Sequence, residues 1–149
     1  MERNHDISSL VMTPAERETF LAEPRVGVLA IARPDDAAPL AAPIWYAYEK
    51  GDVLMIVGGD SQKARLLTGV TTSSLCVSSE ELPYRFVTVS GPTTLEPVED
   101  ELRRRIAARY LPADMVDGYL EYSSAEPSLT VRLKPTTWYS TDYNKLTMA

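Results

Sequence analysis

Residues 58–65 combine the residue types that a bound phosphate group needs. They read Gly58-Gly59-Asp60-Ser61-Gln62-Lys63-Ala64-Arg65. Glycines let backbone N–H groups approach a ligand closely, and the free amides at a helix start attract anions. A hydroxyl at Ser61 and cations at Lys63 and Arg65 would complete a phosphate cradle. The ordinary alternative is that Ser61 caps a helix and that the two cations are solvated.

Hydrophobic patterning places this segment at a strand-to-helix junction. Residues 53–57 are apolar and predict a strand that the two glycines end. Residues 62–67 have helix-forming composition, and Gly69 stops that helix. At such a junction these residue types are a more specific indication of phosphate binding than they would be elsewhere in a chain.

The rest of the chain predicts a barrel of antiparallel strands. Thr13, Pro14 and Glu16 form a helix-start pattern, and that helix ends before Pro24. Strands are predicted over residues 26–32, 39–48, 53–57, 73–77, 84–90 and 129–133, and further helices over 99–110 and 113–122. Six antiparallel strands with inserted helices, a mainly β fold, close most economically into a barrel because closure removes exposed edges.

Two local features refine this picture. Residues 26–32 are almost wholly apolar, which predicts a strand buried on both faces. Cys76 lies between Leu75 and Val77, which predicts inert packing in another buried strand. We expect residues 1–149 to form one domain, with residues 1–12 flexible.

Composition excludes several classes of function. The net charge of −6 argues against a nucleic-acid-binding surface, so any phosphate site must be local. His5 is the one histidine, and HExxH and CxxC patterns are missing, so a protein-bound metal is not expected. The apolar runs are far too short for a membrane span, and the first residues lack a signal-peptide pattern. These features predict a cytoplasmic protein.

Several features together resemble one known superfamily. They are the strand order, the apolar strand Pro43-Ile44-Trp45-Tyr46, the hairpin at Gly51, and the Ser-x-Lys-x-x-x-Leu pattern of Ser61, Lys63 and Leu67 directly after the third strand. Over about residues 15–139 the chain resembles the pyridoxamine 5'-phosphate oxidase-like, flavin- and deazaflavin-binding split barrels. The resemblance implies a six-stranded antiparallel split β-barrel of the FMN-binding type.

The resemblance also implies where a cofactor would bind. The cofactor phosphate is expected at Ser61, Gln62, Lys63 and Arg65. The ring is expected against two strands, at Pro43, Ile44 and Trp45 and at Ile56, Val57 and Gly58. Members are usually homodimers with cofactor sites at the interface, and the partner is expected to supply Arg85 and Trp138. For Trp138 the alternative is that it plugs the barrel or anchors the dimer.

The C-terminal sequence departs from true pyridoxamine phosphate oxidases. Those enzymes end with an Arg-x-His pattern that grips the substrate phosphate, whereas this chain has no histidine after Trp138. Oxidation of vitamin B6 is therefore not expected. The resemblance instead implies an oxidoreductase that passes hydride between FMN and a small organic substrate at a dimer interface.

Three alternatives stay open at this point. The deazaflavin coenzyme F420 could replace FMN, although its anionic glutamyl tail calls for extra basic residues, for which Lys50 and Arg85 are the candidates, and the acidic charge balance favours FMN. A non-catalytic module that binds a cofactor or an apolar ligand could use the same barrel. The chain could also be a purely structural homodimer.

Overall fold

The computed structural model describes residues 10–146. His5 and most of the segment predicted to be flexible lie outside the described residues, while Leu10 and Met12 are buried. The elements are α1 (Pro14–Ala22), β1 (Gly27–Ile31), β2 (Leu40–Ile44), β3 (Tyr46–Glu49), β4 (Asp52–Gly58), α2 (Gln62–Thr68), β5 (Thr72–Ser78), β6 (Arg85–Pro97), α3 (Asp100–Tyr110), α4 (Ala113–Ser123), β7 (Ser128–Leu133) and β8 (Thr137–Asp142). Every helix among these residues is too short or too polar to cross a lipid bilayer.

The strands form one curled antiparallel sheet. Its order is β2-β1-β5-β6-β7-β4-β3, and β8 pairs with β6 beside this path. The two ends of the path, β2 and β3, are separated in sequence by Trp45 alone. The chain therefore brings both ends of the sheet together, and the sheet curls into an open barrel. The predicted class, a mainly β antiparallel split barrel with inserted helices, is confirmed.

Residues 10–146 contain eight strands, whereas the sequence predicted six. The strand predicted over residues 39–48 is divided at Trp45, because β2 pairs with β1 at one end of the sheet while β3 pairs with β4 at the other. The aromatic tail adds the eighth strand, β8, along β6. Polar residues interrupt its apolar pattern, so the sequence did not indicate a strand. The strand forms because it pairs with β6, which is distant in sequence.

The long strand β6 connects the two halves of the barrel. Residues 86–92 pair with β5 and residues 85–90 with β8, whereas residues 93–97 pair with β7. Gly91 lies where the strand passes between them, and a Cβ atom there would overlap the carbonyl oxygen of Lys134. A residue without a side chain is needed at this crossing because two backbone segments touch.

Two apolar clusters form on opposite faces of the curled sheet. The larger fills the barrel, and Ala64 and Leu67 of α2 close it at one end. The smaller lies between the outer face of β3 and β4 and the helix α3, where Leu54 packs near Leu102 and Ile106. Side chains alternate between faces along a strand, so β4 contributes to both clusters.

The first strand is exposed on one face, so the prediction of burial on both faces is wrong. Leu29 and Ile31 are fully buried, but Val26 and Val28 are 51% and 40% exposed. Cys76 pairs with Val28 and is half-buried on the same outward face, so it does not lie in the core. Apolar composition alone did not distinguish a buried face from an exposed apolar face.

The hydroxyl of Tyr110 holds the split together. It donates to the carbonyl oxygen of Arg25 at 2.8 Å or of Tyr46 at 3.2 Å, and it accepts from the backbone N–H of Tyr46 at 3.2 Å. Arg25 precedes β1 and Tyr46 begins β3, so one side chain from α3 serves backbone groups on both sides of the opening. Both groups lie at the opening of the sheet, where a backbone group without a hydrogen-bond partner is costly if it is shielded from water.

Replacing Tyr110 by phenylalanine should lower the free energy of unfolding by about 1–3 kcal/mol, because backbone groups at the split lose their partner. Urea unfolding of the purified protein measures the effect. Tyr122→Phe is the control, since that side chain is 81% exposed. Equal stability of the two variants would show that the hydroxyl of Tyr110 does not hold the split.

Glu16 ties the start of α1 to the end of the chain. Its carboxylate accepts from the backbone N–H of Thr13 in a capping box and lies 2.6 Å from Nζ of Lys145. These contacts, Lys145 first, lower the pKa of Glu16 from 4.5 to about 2. The folded state thus keeps this carboxylate deprotonated more strongly than the unfolded chain does.

The contribution of Glu16 to stability should be complete above about pH 4.5 and should be lost as the pH falls towards 2. Glu16→Gln should remove that part of the acid dependence from urea unfolding curves measured across this range. Glu121→Gln, at an exposed carboxylate on α4, is the control. An unchanged acid dependence in Glu16→Gln would contradict the assignment.

Candidate functional site

A cavity of about 280 Å³ opens where the sheet is split. Its walls come from the β2–β3 junction and β4 on one side and from α3 and α4 on the other. The lining residues are Val26, Pro43, Ile44, Trp45, Ile56, Arg103, Ile106 and Tyr119. The volume is close to the lower limit of about 300 Å³ for small-molecule pockets. Most of the lining side chains are apolar, but polar atoms make up a substantial part of the wall.

Four of the residues predicted to contact a cofactor ring meet in this cavity. They are Pro43, Ile44, Trp45 and Ile56. Val57 is the next residue along β4, but its side chain is 4% exposed and lies inside the barrel, so only its backbone could face a ligand. Gly58 is exposed and ends the same strand two residues beyond Ile56, about 7 Å further along.

Trp45 forms a flat wall whose orientation is fixed by two tyrosines. Its ring stacks on Tyr110 with a centroid distance of 4.9 Å and an interplanar angle of 8°. Tyr119 of α4 contacts it in a tilted arrangement at 5.3 Å. Since Trp45 is also the junction between β2 and β3, the residue that divides the sheet forms part of the cavity wall.

Arg103 is the one charged residue among those lining the cavity. It is 9% exposed, and its Nη1 donates to the carbonyl oxygen of Ser123 at 3.2 Å. Its Nε is buried and has no hydrogen-bond partner in the part of the chain that the structure describes. A guanidinium has five N–H donors, and one hydrogen bond, to Ser123, is found for Arg103 among residues 10–146.

Within one subunit, the segment predicted to hold a phosphate forms an ordinary capped helix start. The Oγ of Ser61 accepts from the N–H of Ala64 and donates to the carbonyl oxygen of Gly58, so Ser61 caps α2. Arg65 donates to the carbonyl oxygen of Asp60 at 2.6 Å. Lys63 is half-buried and takes part in none of the ion pairs between residues 10 and 146. Gln62 is exposed at the first position of the helix.

The two residues expected from a partner subunit lie away from the cavity of their own chain. Arg85 lies over the ring of Phe20 and lines a broad groove of about 880 Å³ together with Arg25. Val26 lines both this groove and the smaller cavity, so the two adjoin. Trp138 packs against the barrel core, with the guanidinium of Arg17 at 4.1 Å over its ring.

The sequence interpretation missed the helical side of the cavity. Arg103, Ile106 and Tyr119 come from α3 and α4, which the sequence presented only as amphipathic helices. A signal was available, because Arg103 lies three residues before Ile106 and seven before Tyr110. That spacing places an arginine on the buried face of its helix, where it needs an explanation.

Similar folds occur among solved structures. A conserved hypothetical protein from Mycobacterium tuberculosis has a TM-score of 0.74 and 23% identity, covering 100% of this chain and 96% of that one. An F420 reductase has a TM-score of 0.65 and 24% identity, covering 82% and 94%. An FAD-binding protein from Mesorhizobium loti has a TM-score of 0.64 and 18% identity, covering 87% and 92%. At such identities the likeness shows the fold alone.

Sequence comparison gives one decisive result. No curated protein sequence matches this chain at a significant level. The sequence pattern of the pyridoxamine 5'-phosphate oxidase family, however, matches residues 13–148, which is nearly the whole chain. The predicted resemblance is therefore confirmed, and the protein belongs to the pyridoxamine 5'-phosphate oxidase family.

Proposed function

We propose that this protein binds a flavin or deazaflavin phosphate and transfers hydride between its ring and a small organic substrate. The observation that carries the proposal is the meeting of Pro43, Ile44, Trp45 and Ile56 in one cavity. The family binds flavins, and the neighbouring folds include an F420 reductase and an FAD-binding protein. Both comparisons support a cofactor of this class.

The cavity fits the ring part of such a cofactor. Trp45 gives it one flat aromatic wall, Ile56 and Tyr119 lie beside that wall, and Arg103 keeps N–H donors without a partner among residues 10–146. At about 280 Å³ the cavity is too small for a whole nucleotide, so the phosphate end would lie outside it. The cofactor would supply the hydride chemistry. The protein would orient the ring and exclude water from it.

The phosphate end is proposed to reach Lys63. Gly58 follows Ile56 by two residues and precedes the segment that leads into α2. The phosphate of a cofactor whose ring lies beside Ile56 would therefore be a short distance from that segment. Lys63 stays without a carboxylate partner among the described residues, so its ammonium is free to pair with an anion. Such a charge-assisted contact is stronger than a neutral hydrogen bond.

Lys63→Ala should weaken FMN or F420 binding by about 1.5–3 kcal/mol, which is roughly a 10- to 150-fold rise in Kd. Absorbance titration measures it and also distinguishes the two cofactors, because their spectra differ. Lys134→Ala is the control at an exposed lysine between β7 and β8. Unchanged affinity in Lys63→Ala would rule out the phosphate contact.

The choice between FMN and F420 depends on charges beyond the phosphate. Lys50 lies in a separate groove with Glu49 and Asp52, so it does not extend the cavity. Arg25 and Arg85 line the groove that adjoins the cavity at Val26, and they could meet a glutamyl tail. The same groove also contains four acidic residues, Glu23, Glu80, Glu81 and Asp142, which would repel that tail.

A homodimer is proposed to form through the outward face of β1 and its neighbours. A row of paired residues crosses this face from Pro43 through Val28, Cys76 and Thr88 to Tyr139. Tyr139 is 64% exposed and Val28 is 40% exposed. An exposed sheet face that carries several apolar side chains is typical of an interface. Val26 lies beside it at the cavity, so a partner covering this face would come close to the site.

Val28→Glu should convert the dimer to a monomer, because a charge would be buried without a partner in the interface. Light scattering at micromolar concentration measures the mass. Met115→Glu is the matched control, since Met115 is 53% exposed on α4, away from this face. A monomeric wild-type protein would contradict the proposed dimer directly.

Cofactor binding without turnover is the second candidate function. Among the residues that line the cavity there is no histidine, cysteine or carboxylate. Hydride transfer needs no such group in the protein, but neither does simple storage of a cofactor. Reduction of the bound chromophore by an electron donor, followed by reoxidation by an organic acceptor, distinguishes the enzyme from the storage protein.

A further inference from the structure

Arg103 is a buried cation to which the described part of the chain offers no anion. The residue is more than nine-tenths buried, and it takes part in none of the ion pairs between residues 10 and 146. One backbone carbonyl, that of Ser123, accepts from Nη1, and Nε has no partner among these residues. Burying a guanidinium with so little compensation is unfavourable, so the arrangement calls for a ligand.

The two arginines that follow it on α3 show the contrast. Arg104 pairs with Asp117 at 3.1 Å, and Arg105 forms two contacts with Glu49 at 2.7 and 3.0 Å. Both are exposed, where a pair contributes little. The helix therefore has carboxylate partners for the arginines that need them least and has none for the buried one.

The surroundings of Arg103 restrict the kind of ligand. Every other lining residue is aliphatic or aromatic, and Trp45 presents a flat wall. A planar guanidinium binds two oxygens, or an oxygen and a neighbouring nitrogen, in one plane. A flat conjugated ring with such an edge would use both the walls and the donors.

We propose that Arg103 binds the oxygen-bearing edge of a planar conjugated ring in this cavity and balances negative charge on that edge. This inference rests on the proposed function in identifying the ring as that of the cofactor, whose pyrimidine edge carries carbonyl oxygens. A separate aromatic carboxylate would present the same chemistry. The roles of the two cations are then distinct: Lys63 binds the phosphate, and Arg103 binds the ring.

Ligands that lack a phosphate separate these roles. Riboflavin carries the flavin ring without the phosphate, and 2-naphthoate is a flat aromatic carboxylate. Arg103→Met keeps a side chain of similar reach without the charge, and Arg104→Met is the control on the exposed side of the same helix. Affinities are measured by fluorescence titration of the full-length, cofactor-free protein.

If the cofactor ring is the ligand, Arg103→Met should weaken riboflavin and FMN by the same factor, about tenfold or more, whereas Lys63→Ala should weaken FMN alone. If a separate aromatic anion is the ligand, Arg103→Met should weaken 2-naphthoate by about tenfold and leave riboflavin unchanged. In both cases Arg104→Met should stay within about twofold of wild type. If Arg103→Met changed the affinity for all three ligands by less than twofold, the inference would be overturned.

Failure of the proposed function gives a different result. If the wild-type protein binds neither flavin nor deazaflavin, the proposed function fails, and the 2-naphthoate titration alone decides the role of Arg103. Lack of 2-naphthoate binding in that case overturns the inference as well. Binding that Arg103→Met abolishes supports an anion site without a flavin.

A measurement on the wild-type protein keeps the inference testable if Arg103→Met does not fold. In the cofactor-free protein, 2-naphthoate should raise the Tm, whereas 2-naphthalenemethanol, a neutral compound of similar shape, should not. Equal shifts from both compounds would overturn a charge-based role. If Arg103→Met does fold, its ligand-free Tm should equal or exceed that of wild type, because an unpaired buried charge has been removed. A clear fall in Tm without loss of affinity would instead assign Arg103 a structural role.

Discussion

The structure depends on the hydrogen bonds that the backbone N–H and C=O groups make where the curled sheet does not close. A continuous barrel would pair every strand with two neighbours, but β2 and β3 meet only through Trp45. The hydroxyl of Tyr110 supplies the missing partner for the backbone of Tyr46 and for the carbonyl of Arg25. Because Tyr110 is the last residue of α3, the helix is fixed to the opening, and its other residues are positioned with it.

The cavity follows from this attachment. The side chain that bonds to the split also stacks on Trp45, so the junction residue is held flat against the end of α3. Arg103 lies about two turns earlier on the same helix and faces the space between α3 and the strands. A ligand in the cavity would thus contact α3, whose position relative to the strands is fixed by hydrogen bonds from Tyr110, and this favours a precise binding site.

Local patterns in the sequence predicted the parts of the structure that local physics determines. The capping box of α1, the junction at Ser61 and the bounds of α3 follow from neighbouring residues, and they appear as predicted. The division at Trp45 and the strand β8 depend on pairing with distant strands, so they were missed. The family resemblance named four residues that line one cavity, whereas Arg103 was missed, because its spacing to Ile106 and Tyr110, which indicates the buried face of α3, was not used.

The distribution of charge shows why Arg103 matters for ligand binding. The chain carries a net charge of −6, so a ligand with a phosphate meets an unfavourable overall field and depends on local cations. Carboxylates pair with Arg104 and Arg105 on the exposed side of α3, whereas Lys63 and Arg103 have no acidic partner among residues 10–146. Of these two, Arg103 is the more informative. A half-exposed lysine stays hydrated at little cost in free energy. A buried guanidinium loses its hydration, and an anion or hydrogen-bond acceptors must offset that cost. In a fold that hosts several functions, that uncompensated charge says more about the ligand than the barrel does.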